Sequence, residues 1–191
     1  MLCPVNALSE TAELLRSLRG VWDEEAVDEL DHALQSVSRA IDDAADDELA
    51  LAAALHDIAH SPLFDASAAS RHDLTAMEWL TPRFGERVGW LAGQHVAAKR
   101  YLAATEPGYG VALTPTSVES LRAQGGARID ESLLRHPWWP DALRLRRYDD
   151  AAKDPEAAAR GRAATIEDVL IIAERVMRSV VEQRQLAPES R

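Results

Sequence analysis

The chain has 191 residues, enough for one sizeable core and a single domain, and its 21 Lys and Arg stand against 32 Asp and Glu, a formal charge of −11. This balance argues against nucleic acid or an anionic membrane surface as the main partner, and any anionic substrate would need a local cluster of positive charge. No apolar run of about 18 residues occurs, nor a basic stretch leading into an apolar one, so neither a membrane span nor a signal peptide is expected and the cytoplasm is the default compartment.

The periodicity is helical almost throughout, which predicts an all-α fold. In chain order the apolar spacing predicts helices over 7–19, 23–43, 47–60, 70–81, 84–104, 116–124, 130–136, 140–147 and 165–184, separated by Pro, Gly and Asp-rich joints. Several starts carry capping signals: Ser9 precedes Glu13, Thr116 stands three residues before Glu119, and Thr165 three before Asp168. The joint "TEPGYGVALTP" at 105–115 reads as an ordered loop or lid. "KDPEAAARGRAA" at 153–164 reads as a surface connection, and residues 185–191 as a frayed tail.

Six histidines occur, at 32, 56, 60, 72, 95 and 136. His32, the group His56–Asp57–His60, His72 and His95 each fall on a separate predicted helix, and a helical bundle can converge such side chains on one buried point. The stretch "LAAALHDIAH" is the sharpest signal. Its apolar run predicts burial, and a buried carboxylate needs compensation for its charge. On a helix His56 and His60 share a face while Asp57 is offset by about 100°, so Asp57 is placed to bridge two metal ions. The only cysteine, Cys3, is near a terminus, so metal ligands must be His and carboxylate. Softness alone admits iron, manganese or zinc. His136, before "PWWP", reads as a packed or surface residue.

An upstream His (His32), a tandem pair (His56, Asp57) and a downstream Asp in "RRYDDAAKD" resemble the HD-domain superfamily. Two further histidines, His72 and His95, add the means to hold a second metal. With "SRHD", "GQHVAAKRYL", "TPTSVESLRAQGG" and "HPWWPDALRLRRYDDAAKD", the stretch 20–155 resembles the HD-domain mixed-valent di-iron oxygenases that cleave the carbon–phosphorus bond of hydroxylated phosphonates. The resemblance implies an HD-domain helical bundle with two iron ions, Fe(II)/Fe(III), O2 as co-substrate and a small organophosphonate as substrate. It places one iron on His32, His56, Asp57 and Asp150, the other on Asp57, His72 and His95. Asp150 is preferred to Asp149 because the family's ligand falls three residues after a substrate-binding Arg, taken here as Arg147; composition alone separates neither the two Asp nor their roles.

Around that centre the resemblance implies substrate contacts from His60, Lys99, Ser117 and Arg147, with His60 and Lys99 closest to the chemistry. Ordinary alternatives exist: Lys99 solvated, Arg147 paired on the surface with Asp149, Ser117 merely continuing a helix cap. In "VWDEEAVDELDH" relatives commonly have a Tyr where this chain has Trp22, and a Glu at Glu25 that pairs a cationic nitrogen of the substrate. Trp22 cannot ligate iron as a phenol could, but its ring can face a cation. The expected activity is oxidative cleavage of a 1-hydroxylated amino- or trimethylammonio-alkylphosphonate to phosphate and a carboxylic acid. Alternatives are an HD-type phosphohydrolase of nucleotides or phosphate esters, and a non-catalytic metal-binding module.

Overall fold

In the computed structural model the residues described are 4–22, 26–65, 68–157, 159–161 and 163–186, and among them every regular element is helical. The helices are α1 (Pro4–Ser17), α2 (Glu29–Asp42), α3 (Asp47–Leu55), α4 (His72–Phe84), α5 (Glu86–Thr105), α6 (Tyr109–Ala112), α7 (Pro115–Ala123), α8 (Trp139–Ala151) and α9 (Ile166–Leu186). Two 3₁₀ turns, Ile58–His60 and Ala68–Arg71, lie between α3 and α4. None of the helices is long and apolar enough to cross a membrane.

The hub is α3. All seven residues from Leu49 to Leu55 are buried, and a helix apolar on every side is stable only when surrounded. Four of the seven are alanines, so α2, α5, α8 and α9 all reach it closely. Asp46 starts the helix by accepting from the Leu49 amide at 2.9 Å. One cluster of buried side chains runs from Leu15 of α1 and Leu18 just beyond it, through Leu51 and Leu55, to Val169 and Val176 of α9.

The tightest pairing joins α4 to α5, and glycine makes it possible. A methyl group at Gly89 would lie 2.0 Å from Thr81 Oγ1 and 3.0 Å from the Thr81 amide, and one at Gly93 would lie 3.0 Å from Met77 Cβ. Only hydrogen fits between these two helices, whose histidines, His72 and His95, are consequently brought together.

Several boundaries differ from the sequence reading. The segment read as one helix over 23–43 begins only at Glu29, because the Asp28 carboxylate accepts from the Asp31 amide at 3.0 Å and caps the helix there. The helix read as 47–60 stops at Leu55. Helix α1 already starts at Pro4, so Ser9 lies within it instead of capping it. Thr114, not Thr116, caps α7, accepting from the Ser117 amide at 3.1 Å, and Pro115 occupies the first helical position that suits it. Residues 131–135 form turns instead of a helix, where Asp130 takes hydrogen bonds from the Ser132 amide and hydroxyl and so competes with helical pairing. The loop at 105–115 contains the one-turn helix α6. At the last helix the Thr165–Asp168 box is formed reciprocally.

Candidate metal centre

Helix α3 delivers its last residues to the middle of the bundle and then breaks. Asp57, at φ −103° and ψ 16°, turns the chain into the 3₁₀ turn, so His56, Asp57 and His60 do not share a regular α-helical face. The sparsely occupied backbone region it adopts is one where functional side chains are often displayed. Its carboxylate is the meeting point of five rings. Oδ2 lies 3.0 Å from His56 Nε2 and 3.6 Å from His32 Nε2; Oδ1 lies 3.4 Å from His95 Nε2, 3.7 Å from His72 Nε2 and 3.9 Å from His60 Nε2. Two overlapping sets of possible metal ligands result: His32, His56, Asp57 and Asp149, and Asp57, His60 and His72. Asp57 belongs to both.

The rings are held from behind. His32 Nδ1 meets the Ala152 carbonyl at 3.0 Å, His56 Nδ1 the Ala53 carbonyl at 2.9 Å, and His95 Nδ1 the Ala92 carbonyl at 2.6 Å. A carbonyl can only accept, so each Nδ1 carries hydrogen and each Nε2 faces the cluster as the potential donor to a metal. Among the described residues His56 Nε2 and Asp57 Oδ1 are buried and make no hydrogen bond. Nε2 of His72 and Nε2 of His95 face each other at 3.1 Å. This donor set, with three rings oriented and with His56 Nε2 and Asp57 Oδ1 making no hydrogen bond, fits metal ions.

Electrostatics point the same way. Burial works against charge on His32 and His56, but the carboxylates Asp57 and Asp149 outweigh it and raise both pKa values. Burial also opposes ionisation of the two carboxyls; His56 and His32 hold Asp57 well below the usual range, and Arg146 with His56 does the same for Asp149. His95 goes the other way, to about 3, through burial reinforced by His56 and His72. The site therefore favours ionised carboxylates and attracts protons to the places for which a metal cation would compete.

Helix α8 brings the neighbours of the expected residues to the cluster. Asp149, not Asp150, reaches the cluster, with Oδ1 3.5 Å from His32 Nε2 and Oδ2 3.4 Å from His56 Nε2. Arg146, not Arg147, is the buried guanidinium, 2.5 Å from Asp149 Oδ2 and also paired with Asp150. Arg147 is on the surface with Glu106. One residue is about 100° of helix rotation, enough to turn a side chain from core to solvent. The three-residue spacing from Arg to ligand is kept, but in the other register. Trp139, Ala142, Leu145 and Ala152 mark the buried stripe, and position 149 falls on that 3–4 spacing, a hint the sequence holds.

Opposite the carboxylates lies a cationic wall. Lys99 is buried and donates to Ser120 Oγ at 2.5 Å, while Ser117, also buried, accepts from Lys153 Nζ at 2.8 Å. Burial, then Arg146 and Lys153, lower the Lys99 pKa to about 8 against the pull of Asp149 and Asp57. A cavity of about 40 Å³ is lined by the cluster together with Glu29, Lys99, Ser117, Ser120, Gln124 and Arg146. Of the expected substrate residues, His60, Lys99 and Ser117 line it and Arg147 does not. Trp22 is 64% exposed and also does not line it; Glu25 lies outside the described residues. Arg146, Ser120 and Glu29 were not singled out from sequence, and Asp149 was there the second choice to Asp150. His136 stacks on Trp90, with ring centroids 3.9 Å apart, away from the cluster.

A buried cluster of imidazoles and carboxylates, faced by ammonium and guanidinium groups within an all-helical bundle, defines a metal-dependent enzyme for an anionic substrate. No protein-family model matches the chain. Three proteins are similar to it. Hydroxymethylphosphonate dioxygenase of Gimesia maris is 32% identical over 170 residues, covering 80% of this chain and 85% of that protein. The [1-hydroxy-2-(trimethylamino)ethyl]phosphonate dioxygenase (glycine-betaine-forming) of Leisingera caerulea is 31% identical, covering 68% of this chain and 70% of that one. An uncharacterized protein of Acanthamoeba polyphaga mimivirus, L432, is 29% identical over 140 residues, 68% and 64% of the two chains. The chain belongs to the HD-domain phosphonate oxygenase family, oxidoreductases that act on phosphonates.

Proposed function

We propose that this protein is a di-iron dioxygenase that cleaves the C–P bond of a 1-hydroxyalkylphosphonate with O2, giving phosphate and a carboxylic acid. The observation that carries the reading is the sharing of Asp57 between two sets of histidines, with one of its oxygens buried and making no hydrogen bond among the described residues. One iron would be held by His32, His56, Asp57 and Asp149, the other by Asp57, His72 and His95. When bound, the metals supply the redox chemistry with O2. The balance is simple for the smallest substrate: hydroxymethylphosphonate and O2 together contain the atoms of formate and dihydrogenphosphate.

The chain's own share is binding and orientation. Lys99 and Arg146 offset the phosphonate charge, Ser117 and Ser120 offer hydroxyls, and His60 reaches the same space from the 3₁₀ turn. With three carboxyl groups (Glu29, Asp57, Asp149) on the walls, these cations are what makes an anion welcome there. Burial of the cluster excludes bulk water and strengthens each of these interactions.

Among the described residues no Trp, Tyr or Phe lines the cavity. Quaternary ammonium groups are usually held by aromatic faces, so the described walls favour a substrate without such a tail, and hydroxymethylphosphonate is the first compound to test. Protein loaded anaerobically with Fe(II) and then given O2 is expected to release phosphate from it, with one O2 consumed per phosphate. Phosphate release from a phosphate ester without O2, sustained by zinc, would replace this reading with a phosphohydrolase. Metal-dependent stabilisation without any turnover would leave a binding module. Electron paramagnetic resonance is expected to show a coupled Fe(II)/Fe(III) signal that changes on adding the hydroxyphosphonate.

A further inference from the structure

Beside the metal cluster lies a second, larger space, a cleft of about 380 Å³ lined by Tyr109, Ala112, Leu113, Thr114, Arg147, Asp150, Ala151 and Lys153. The wall between cleft and inner cavity consists of bonded pairs with one member on each side. Lys153, in the cleft, donates to Ser117, in the cavity, at 2.8 Å. Asp150, in the cleft, pairs with Arg146, in the cavity, and also accepts from the Tyr109 hydroxyl at 2.6 Å.

Charge along this wall suits an anion. Asp150 is offset by Arg146, and Arg147 is paired with Glu106. Lys153 and Lys99 then form a line of cations leading inward, past the Arg146 that neutralises the carboxylates, close enough that Arg146 and Lys153 both depress the pKa of Lys99. On a chain with a formal charge of −11 such a line is where an anionic substrate gains rather than loses energy on approach.

Lys153 is also unusually well placed by its neighbours. The carbonyl of Ala152 meets His32 Nδ1 at 3.0 Å. On the other side, Gln35 clamps Asp154, accepting from its amide and donating to its carbonyl, both at 2.9 Å. The backbone on either side of Lys153 is thus tied to α2, and its ammonium to α7, which reduces the side-chain entropy lost when it binds.

We propose that the cleft is the route by which the phosphonate group reaches the metal cluster, and that Lys153 is the binding residue at the junction between the two spaces. The phosphonate meets Lys153 in the cleft, draws it from Ser117, and passes to Ser117, Lys99 and Arg146; phosphate leaves in reverse. This extends the phosphonate reading above, so the test uses one probe that depends on turnover and one that does not.

The first probe is inorganic phosphate, titrated calorimetrically into metal-loaded protein without O2. Lys153→Met is expected to weaken its binding about tenfold, the scale of one charge-assisted hydrogen bond, and Lys153→Arg to recover most of that loss. In turnover of hydroxymethylphosphonate, Lys153→Met is expected to raise KM far more than it lowers kcat, and to flatten the decline of kcat/KM with added salt. Unchanged phosphate affinity in Lys153→Met, or absence of phosphate binding by the wild type, overturns the proposal. So does a loss that Lys153→Arg fails to restore and that follows thermal stability, which would mark Lys153 as a strut between α7 and α8. If the wild type turns over no hydroxyphosphonate, the proposed activity fails while the phosphate titration still decides the role of Lys153.

Discussion

Among the described residues two concentrations of charge, one partly open to solvent and one in the interior, are built on opposite principles. In the first, the Arg87 guanidinium of α5 meets Asp46 and Glu48 at the start of α3 and Asp141 in the first turn of α8, at 2.7, 3.0 and 2.8 Å. Its groups find their counter-charges in one another, and the result fastens three helices at one end. In the second, Asp57 is encircled by imidazoles, three of them tied through Nδ1 to carbonyls, and His56 Nε2 and Asp57 Oδ1 are buried without hydrogen bonds among the described residues. A cluster that satisfies itself holds a fold; one that stops short of satisfaction waits for a ligand.

Substitutions at the two clusters should part along this line. The largest effect is expected at Asp149. Asp149→Asn removes a donor facing His32 and His56, and metal content and phosphate release should fall by more than the roughly 10–100-fold typical of losing an outer partner of a metal ligand. Asp150→Asn, acting only through Arg146 and Tyr109, should stay within that range. Metal analysis with turnover separates them, and equal losses would return the ligand to Asp150.

Next is Gly89→Ala, which places a methyl against Thr81 and pushes α4 from α5. Overpacking of this kind costs about 1–3 kcal/mol. Because His72 and His95 belong to the two displaced helices, roughly one metal ion per chain should be lost along with stability. Denaturant unfolding combined with metal analysis reads both, and a destabilised variant with full metal content would break the link between helix approach and the second metal.

A pH effect is expected at Lys99. Its pKa of about 8 means that the ammonium is present below that value and lost above it. If the charged form binds the phosphonate, kcat/KM should fall as pH rises through about 8, and Lys99→Arg should move that limb upward because guanidinium stays charged. A limb that does not move places its origin elsewhere.

The smallest effect on chemistry is expected at the self-satisfied cluster. Arg87→Met should cost about 1–2 kcal/mol, less than a fully buried pair because Asp46 is open to solvent. Metal content should remain at the wild-type level. Loss of metal in this variant would mean that the two clusters are coupled through α3 and α8.

How far the sequence could be read varied with the kind of information each residue carries. The helical class followed from period, and "LAAALHDIAH" announced a buried carboxylate because apolar runs and charges conflict without a partner. Its local form was missed: the helix ends at Leu55, since the turn at Asp57 is set by what packs around it and not by propensity. The segment 130–136 was read as helix from spacing, although an Asp–Ser turn won there.

The choice between neighbouring residues is the clearest division. The resemblance carried by the order and spacing of the His and Asp motifs named His32, His56, Asp57, His72 and His95 as one set. Which of Asp149 and Asp150 joins them, and which of Arg146 and Arg147 is buried, rested on the rotation of α8 against its neighbours. The distance between the His-bearing helices likewise depended on Gly89 meeting Thr81. Composition and order are properties of the chain, legible one residue at a time. Rotation and approach are properties of packed surfaces, and only the tertiary structure, where each helix must satisfy all its neighbours at once, decided them.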